Sequence, residues 1–299
     1  MTGLKRKIIV PPIKCQGIKS KLAEWILSFT NLKKGERWVE PFMGSGVVGF
    51  SLQPENALFC DLNPHLINFY NSIKDGKITS KIARDFLEEE GANLTKKGDE
   101  HYYFVRERFN EKKDSLDFLF LNRSCFNGVM RFNRKGFYNV PFGHKPERFA
   151  KAYLTKICNQ IEKVEHSTKI FNWNFACQDF RQTILNSTTN DLIYCDPPYF
   201  GRHTDYFNTW TETEEKDLFE LLEKTPAKFI LSTWHSNQYR NNNELKKYQN
   251  SFEIITKEHF YHVGASEKNR NPMTEAIVLN YAPKQKQVLE KSYQANLFI

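Results

Sequence analysis

Residues 36 to 75 constrain the fold more than any other stretch. ERWVE reads as a buried strand, PFMGSG as a glycine-rich turn, VVGFSL as the start of a helix and ALFCD as a second strand. That is a βαβ unit, whose crossover must pack on the sheet face. In NPHLINFYNSIKDG, Asn63 is a side-chain cap, Pro64 occupies the first helical position and Gly76 closes the helix. The alternation resumes near residue 175: FACQDF, DLIYCD, AKFILST, FEIITKEHF and MTEAIVLNY read as strands, and ETEEKDLFELLEK as an amphipathic helix. The pattern predicts an α/β chain with a mostly parallel sheet covered by helices on both faces.

Between the two blocks the texture changes. ITSKIARDFLEEEGANL and HYYFVRERFNEKKD are helical and charged, and LNRSCFNGVMRFNRKGFYNVPFGHKPERF is dense in Arg, Asn, Gly and aromatics. We therefore expect an inserted, mostly helical domain at 76–175 with a β-hairpin turned by NRKG. It would interrupt a discontinuous domain formed by 1–75 and 176–299. The end of the chain, from APKQKQ onward, reads as a polar tail of weak order.

The excess of 43 basic over 35 acidic side chains in 299 residues, +8, is too small to identify an anionic partner alone. Its location is more informative: Leu121 to Arg148 holds Arg123, Arg131, Arg134, Lys135, Lys145 and Arg148 against the single acid Glu147. Basic residues neutralise phosphates, Arg can pair with guanine and Asn with adenine, so this segment is a candidate reader of nucleic acid. Cys15, Cys60, Cys125, Cys158, Cys177 and Cys195 are scattered without a C-x-x-C pair, so neither a zinc cage nor a disulfide framework is expected, and no metal. No apolar stretch approaches membrane-spanning length, and we expect a soluble, intracellular protein.

In open α/β sheets, ligands sit beyond the carboxyl ends of the strands where strand order reverses. Gly44 and Gly46 in EPFMGSGVVGF let a ligand approach the main chain, and Asp61, 21 residues past Glu40, can accept from ribose hydroxyls. The turn lacks the full G-x-G-x-x-G, so a dinucleotide seat stays open but a nucleoside without phosphates fits better.

NDLIYCDPPYF carries the chemistry. An apolar strand runs into Asp196, and Pro197 and Pro198 stop it in a rigid, extended corner before Tyr199. The exocyclic amine of a planar base is a poor nucleophile, because its lone pair is delocalised into the ring. Two acceptors, the Asp196 carboxylate and the Pro197 carbonyl, would each take one N–H and turn the lone pair toward an electrophile, while Tyr199 stacks on the base. A methyl sulfonium supplies such an electrophile without a metal.

PFMGSG, DLNPHL, YCDPPYFGR and the N-terminal PPIKCQGIKSKL together resemble the Dam-like D12 class of DNA adenine methyltransferases, in the motif order of its alpha group, over residues 8 to 280. FLFLNRSCFNG and HFYHVGASEKNR resemble the modification enzymes of that class. The resemblance implies a Rossmann-like S-adenosylmethionine-dependent methyltransferase sheet with an inserted target-recognition domain. It implies cofactor contacts from Lys14, Cys15, Gly17 and Lys19, and from Glu40, Pro41, Phe42, Gly44, Ser45 and Gly46 in the turn. Asp61 would hold the ribose, Asp179 with Phe180 the cofactor adenine, and Asp196 would border both ligands. Cys15 stands where the family often has an aromatic, and Phe126 where it often has tyrosine.

For duplex DNA, the resemblance implies that Arg131 reads a guanine, that Phe126 and Asn127 sit beside the displaced base or its orphan partner, and that Pro141 and His144 add hairpin contacts. Lys14 would touch a flanking base, and Asn122, Arg123, Asn133, Arg134, Lys135, Asn139 and Lys145 complete the DNA-facing set.

The expected activity is methylation of adenine N6 in a specific sequence, a short palindrome containing GAT, with release of S-adenosylhomocysteine. Asp196, Pro197, Pro198 and Tyr199 would be catalytic and the target base extruded. GRHTDYFNTW would form a flap over it, with core packing the equal alternative for Phe207 and Trp210. The chain is expected to act as a cytoplasmic monomer of a prokaryote or phage, paired functionally but not physically with a restriction endonuclease. Three alternatives stand beside this: cytosine amine methylation, which usually has serine in place of Asp196; a DNA-binding regulator without turnover; and a nicotinamide-dependent oxidoreductase.

Overall fold

The computed structural model describes residues 7–199, 210–237, 242, 245, 251–260 and 272–283. Its centre is a seven-stranded sheet of β1 (Arg37–Glu40), β2 (Asn56–Asp61), β3 (Asn172–Cys177), β4 (Asp191–Cys195), β5 (Lys228–Asn237), β6 (Glu253–Phe260) and β7 (Pro272–Leu279), in the order β3-β2-β1-β4-β5-β7-β6. The first five pair in parallel, while β7 runs antiparallel between β5 and β6. β1 lies between β2 and β4, so the strand order reverses at β1, and a crevice opens beyond the carboxyl ends of β1 and β4. EPFMGSG and CDPPY both begin there.

The helices are α1 (Ala23–Ser28), α2 (Val47–Leu52), α3 (Pro64–Lys74), α4 (Ser80–Lys97), α5 (Asp99–Lys112), α6 (Ser115–Ser124), α7 (Lys151–Ile170), α8 (Phe180–Leu185) and α9 (Glu212–Lys224). Asn63 caps α3 by accepting from the backbone of His65 and Leu66, with Pro64 at the first helical position as its sequence predicts. α9 carries the predicted amphipathic pattern and opens with a capping box between Thr211 and Glu214. None of the helices among the described residues is long and apolar enough to cross a membrane.

Trp38, Tyr194, Ile230, Ile277 and Leu279 belong to one core, and Val39, Ile193, Leu231, Ala276 and Val278 to a second. Alternate residues of each strand thus face opposite sides of the sheet, and both sides are dry. The first core continues into the insertion through Leu87, Tyr102, Phe109, Phe118 and Tyr138, so the helical segment packs on the sheet domain instead of enclosing a separate interior. Inside it, Glu90 on α4 accepts from His101 at 2.5 Å and from Arg108 at 2.6 Å, and Arg108 also bonds Asp117 on α6. Buried charges joined this way tie three helices together, and each needs its partners because an isolated one is costly there.

One boundary and the form of one turn differ from those read in the sequence. The expected insertion end at 175 falls inside β3, whose pairing with β2 begins at Asn172 opposite Asn56. NRKG does turn the chain, with Gly136 N–H donating to the Asn133 carbonyl at 2.8 Å. Its arms, however, are joined by single bridges, Phe132 to Tyr138 and Cys125 to Phe142, and do not form a continuous two-stranded ribbon. Polar side chains cross-brace this segment where a ladder would otherwise run: Asn133 Oδ1 accepts from the backbone of Lys135 and Phe137, and Asn110 Oδ1 from that of Tyr138.

Candidate active site

The glycine turn after β1 is shaped from within. Gly44 and Gly46 adopt φ of 48° and 74°, in the left-handed region that glycine enters without penalty. A Cβ on Gly46 would lie 2.9 Å from the Phe50 ring. Glu40 lies beneath the turn, 1% exposed, with Oε1 accepting from Trp38 Nε1 at 2.8 Å and from Gly49 N–H at 2.7 Å. Burial pushes its carboxyl up to about 8, against the pull of those two donors. Glu40 is thus a brace for the turn, with Pro41, Ser45 and Gly46 also buried while Phe42 and Gly44 are partly exposed.

Asp61 ends β2 beside this turn. Oδ2 accepts from Gly44 N–H and Oδ1 from Asn63 N–H, each at 2.9 Å, which fixes the carboxylate at the mouth of the crevice. Burial raises its pKa, and the backbone donors at Asn63, Gly44 and Leu62 oppose that rise. Leu62, which sequence reasoning passed over, leaves its side chain 37% exposed next to it. Cys15 also packs at the turn: a Cβ on Gly44 would lie 3.6 Å from Sγ. Burial first, and then the fields of Asp61 and Asp196, push this thiol up to about 12, so it stays protonated at neutral pH.

Asp179 caps α8, accepting from Arg181 N–H at 2.8 Å, with its side chain 37% exposed. Phe180 is buried in the second core, stacked on Phe42 at 5.2 Å. Trp210 completes that cluster edge-on to Phe42 at 5.4 Å and donates to Glu215. Trp210 therefore follows the packing alternative. Phe207 and the rest of the expected flap, 201–209, lie outside the described residues, as do 261–270 of HFYHVGASEKNR.

Asp196 follows β4 with its side chain 21% exposed, and Lys19 reaches it from the N-terminal segment, Nζ 2.8 Å from Oδ1. Burial opposes charge on Lys19, but Asp196 leads a set of neighbours, Tyr199, Tyr194 and Glu275, that overcomes it and holds the ammonium well above its ordinary pKa. Burial likewise raises Asp196, with Lys19 opposing. The same ammonium lies 4.9 Å from the centre of the Tyr199 ring. Tyr199 is 9% exposed and donates its phenol to Glu275 Oε2 at 2.8 Å. Pro197 is buried and Pro198 partly so. The structure thus brings Lys19, Asp196 and Tyr199 into one cluster with Glu275, a residue that sequence reasoning missed because it sits in an otherwise apolar strand. Tyr194, stacked on Trp38 at 5.7 Å, leaves its buried hydroxyl without a hydrogen-bond partner among the described residues.

These features fit a nucleoside-bearing sulfonium: a glycine turn partly exposed at Gly44, with carboxylates held by backbone donors at the end of β2 and just past β3. No group of His, Cys, Asp and Glu among the described residues is arranged to hold a metal ion.

The candidate nucleic-acid face has an exposed part and a buried part. Phe126 (55% exposed), Asn127, Asn133, Arg134, Lys135, Pro141, His144 and Lys145 are exposed. Asn127 and His144 hold φ of 52° and 50°, in the left-handed region that Asn and His enter more readily than most side chains. Arg131 is partly exposed and directed along Asn139, its Nε donating to Oδ1 at 2.9 Å. Asn122 and Arg123, expected on the same face, are instead interior at 0% and 8% exposure. Arg123 donates to the Pro12 carbonyl and to Gln160 Oε1, and Asn122 to the Lys14 carbonyl. Both lie in the last turn of α6, which is buried all round from Asp117 to Ser124, and their bonds hold the N-terminal segment from inside the fold.

Lys14 lies beside this junction, where a Cβ on Gly128 would lie 2.7 Å from Lys14 Cβ, while the exposed Gly17 offers its carbonyl to Lys19 Nζ at 3.5 Å. Burial, with Arg148 and Arg123 nearby, lowers the Lys14 pKa to about 8. Cationic side chains thus crowd one edge of the crevice, next to the exposed loops.

Comparison with known proteins agrees with this geometry. The family model for the D12 class N6 adenine-specific DNA methyltransferases matches residues 16–263. A DNA adenine methylase of Vibrio cholerae is 34% identical over 238 residues, 75% of this chain and 80% of that protein. One from Escherichia coli strain K12 is 32% identical over 206 residues, 64% of this chain and 69% of that protein. Type II methyltransferase M.FokI of Planomicrobium okeanokoites is 27% identical over 283 residues, 91% of this chain but 43% of that protein. The glycine turn, the aspartate-proline-proline-tyrosine corner and the family match converge, and the chain belongs to the D12 class of adenine-specific DNA methyltransferases.

Proposed function

We propose that this enzyme transfers a methyl group from S-adenosylmethionine to N6 of an adenine extruded from a specific duplex sequence, as the modification partner of a type II restriction system. Bound in the crevice, the cofactor would supply an activated methyl carbon. Gly44, Ser45 and Gly46 would face its methionine part, Asp61 the ribose and Asp179 the adenine. Asp196 and the Pro197 carbonyl would accept the two amino hydrogens of the target, and Tyr199 would lie on its ring. Lys19 takes one oxygen of Asp196 and leaves the second carboxylate oxygen to the amine; its positive charge also favours the ionised acceptor.

The Lys19–Asp196 pair at the reversal of strand order carries this reading, since it places a charged acceptor where an open α/β sheet receives its ligands. Extrusion follows from reach: a stacked adenine cannot enter a crevice lined by Asp196 and Tyr199, and the exposed Phe126 is suited to fill the gap left behind. The restriction role is supported by the likeness to M.FokI over nearly the whole chain. Incubation with labelled S-adenosylmethionine and unmethylated duplex DNA, followed by nucleoside mass spectrometry, tests the reading. N6-methyladenine is the expected product; N4-methylcytosine, or DNA binding without label, would overturn it.

A further inference from the structure

Glu275 is a carboxylate in an improbable place. It is 1% exposed on β7, and the residues that follow it, Ala276, Ile277, Val278 and Leu279, are fully buried and apolar. A carboxyl in such surroundings is unfavourable unless it is hydrogen-bonded, and here the bond comes from the Tyr199 phenol at 2.8 Å. The register places Trp234 of β5 directly opposite Glu275, and a bulge between Trp234 and Ser236 re-aims the strand at that point. Trp234, 8% exposed, packs with Tyr199 as a small apolar cluster apart from the two main cores. Lys19 adds its ammonium 4.9 Å from the ring centre while it holds Asp196. The tyrosine of the catalytic corner is therefore fixed at its tip by one strand and packed against the neighbouring strand, with a cation over its ring.

We propose that Glu275 is a positioning residue for methyl transfer: through the Tyr199 phenol it sets the plane on which the target base stacks, and so the angle at which the amine meets the methyl carbon. This rests on the stacking role given to Tyr199 above. A tyrosine packed on Trp234 alone could still pivot about its side-chain torsions, and the bond at its tip removes that freedom. Misplacement of a reacting group on this scale costs about tenfold to a hundredfold in rate.

The test uses the full-length enzyme with tritiated S-adenosylmethionine and unmethylated duplex DNA under single-turnover conditions. Glu275→Leu is expected to slow transfer by at least about tenfold with the KM for the cofactor unchanged. Glu275→Gln, whose amide oxygen still accepts from the phenol, should restore most of the rate. Adding Glu275→Leu to Tyr199→Phe should cost far less than the product of the two single losses, because the acid sets the ring through the phenol. Multiplicative losses in the double variant, a glutamine no better than leucine, or a defect confined to cofactor KM would overturn the proposal. Should Glu275→Leu not fold, Tyr199→Phe decides alone: a tenfold loss supports the proposal and an unimpaired rate refutes it. If the wild-type chain makes no N6-methyladenine, the functional reading fails instead, so the two failures are distinct.

Discussion

The side-chain amide of Asn122 brackets the backbone of Lys14: the Lys14 N–H donates to Oδ1 at 2.8 Å, and Nδ2 donates to the Lys14 carbonyl at 2.9 Å. Nδ2 also reaches the Gly128 carbonyl at 3.4 Å, so one buried amide joins the N-terminal segment, α6 and the loop that exposes Phe126. Replacing Asn122 with leucine should destabilise the fold by about 1–3 kcal/mol, because main-chain polar groups lose their partners in a dry place. Urea denaturation checks the stability. The KM values for DNA and for cofactor should rise together, since the segment holding Lys19 and the DNA-facing loop loosen as one.

One buried and one partly buried group give opposite pH dependences. His65, packed against Phe109 and stacked on Phe132 at 4.9 Å, has its pKa lowered by burial to about 4, with Lys113 adding to the effect. The unfolded chain binds a proton there below about 6.5 and the folded chain only below about 4, so stability falls as pH drops through that window. Glu40 behaves oppositely: unfolded it ionises above about 4.5, folded only above about 8, so stability falls as pH rises between them. His65→Phe should flatten the acid side of the stability profile and Glu40→Gln the neutral side, both read by denaturation at fixed pH values.

Lys14 should make DNA affinity titrate. With its pKa near 8, raised pH removes a cation at the edge of the DNA-facing loops, and affinity should weaken through that range. Lys14→Met should bind more weakly at pH 7 and lose most of this dependence, as measured by equilibrium titration of duplex DNA at constant salt. An unchanged pH profile would separate Lys14 from the DNA.

How much of this was legible in the sequence depended on whether local signals agreed. Asn63-Pro64 and the alternating apolar runs specify α3 and the parallel strands directly, because caps and periodicity act over a few residues. The aspartate-proline-proline-tyrosine corner was legible for the same reason. Glu275 was not: nothing in MTEAIVLNY reveals that strand pairing aligns the acid with Trp234 and the Tyr199 phenol. Nor does the run Asn122-Arg123 show which way it points. Polar residues near a basic loop read as DNA contacts, whereas the C-terminal half of α6 is buried all round and takes both into the interior. The N-terminal Lys19 entered the site only through family resemblance; its ion pair with a residue 177 positions away is a tertiary fact.

Asp196 is the acceptor proposed to prepare the amine. Single-turnover methyl transfer by Asp196→Ala, at saturating cofactor and DNA, tests it most directly. A loss of about a hundredfold to a thousandfold, with cofactor and DNA still bound, is the predicted result, in line with the removal of a preorganised electrostatic contact. Transfer at the wild-type rate would contradict it.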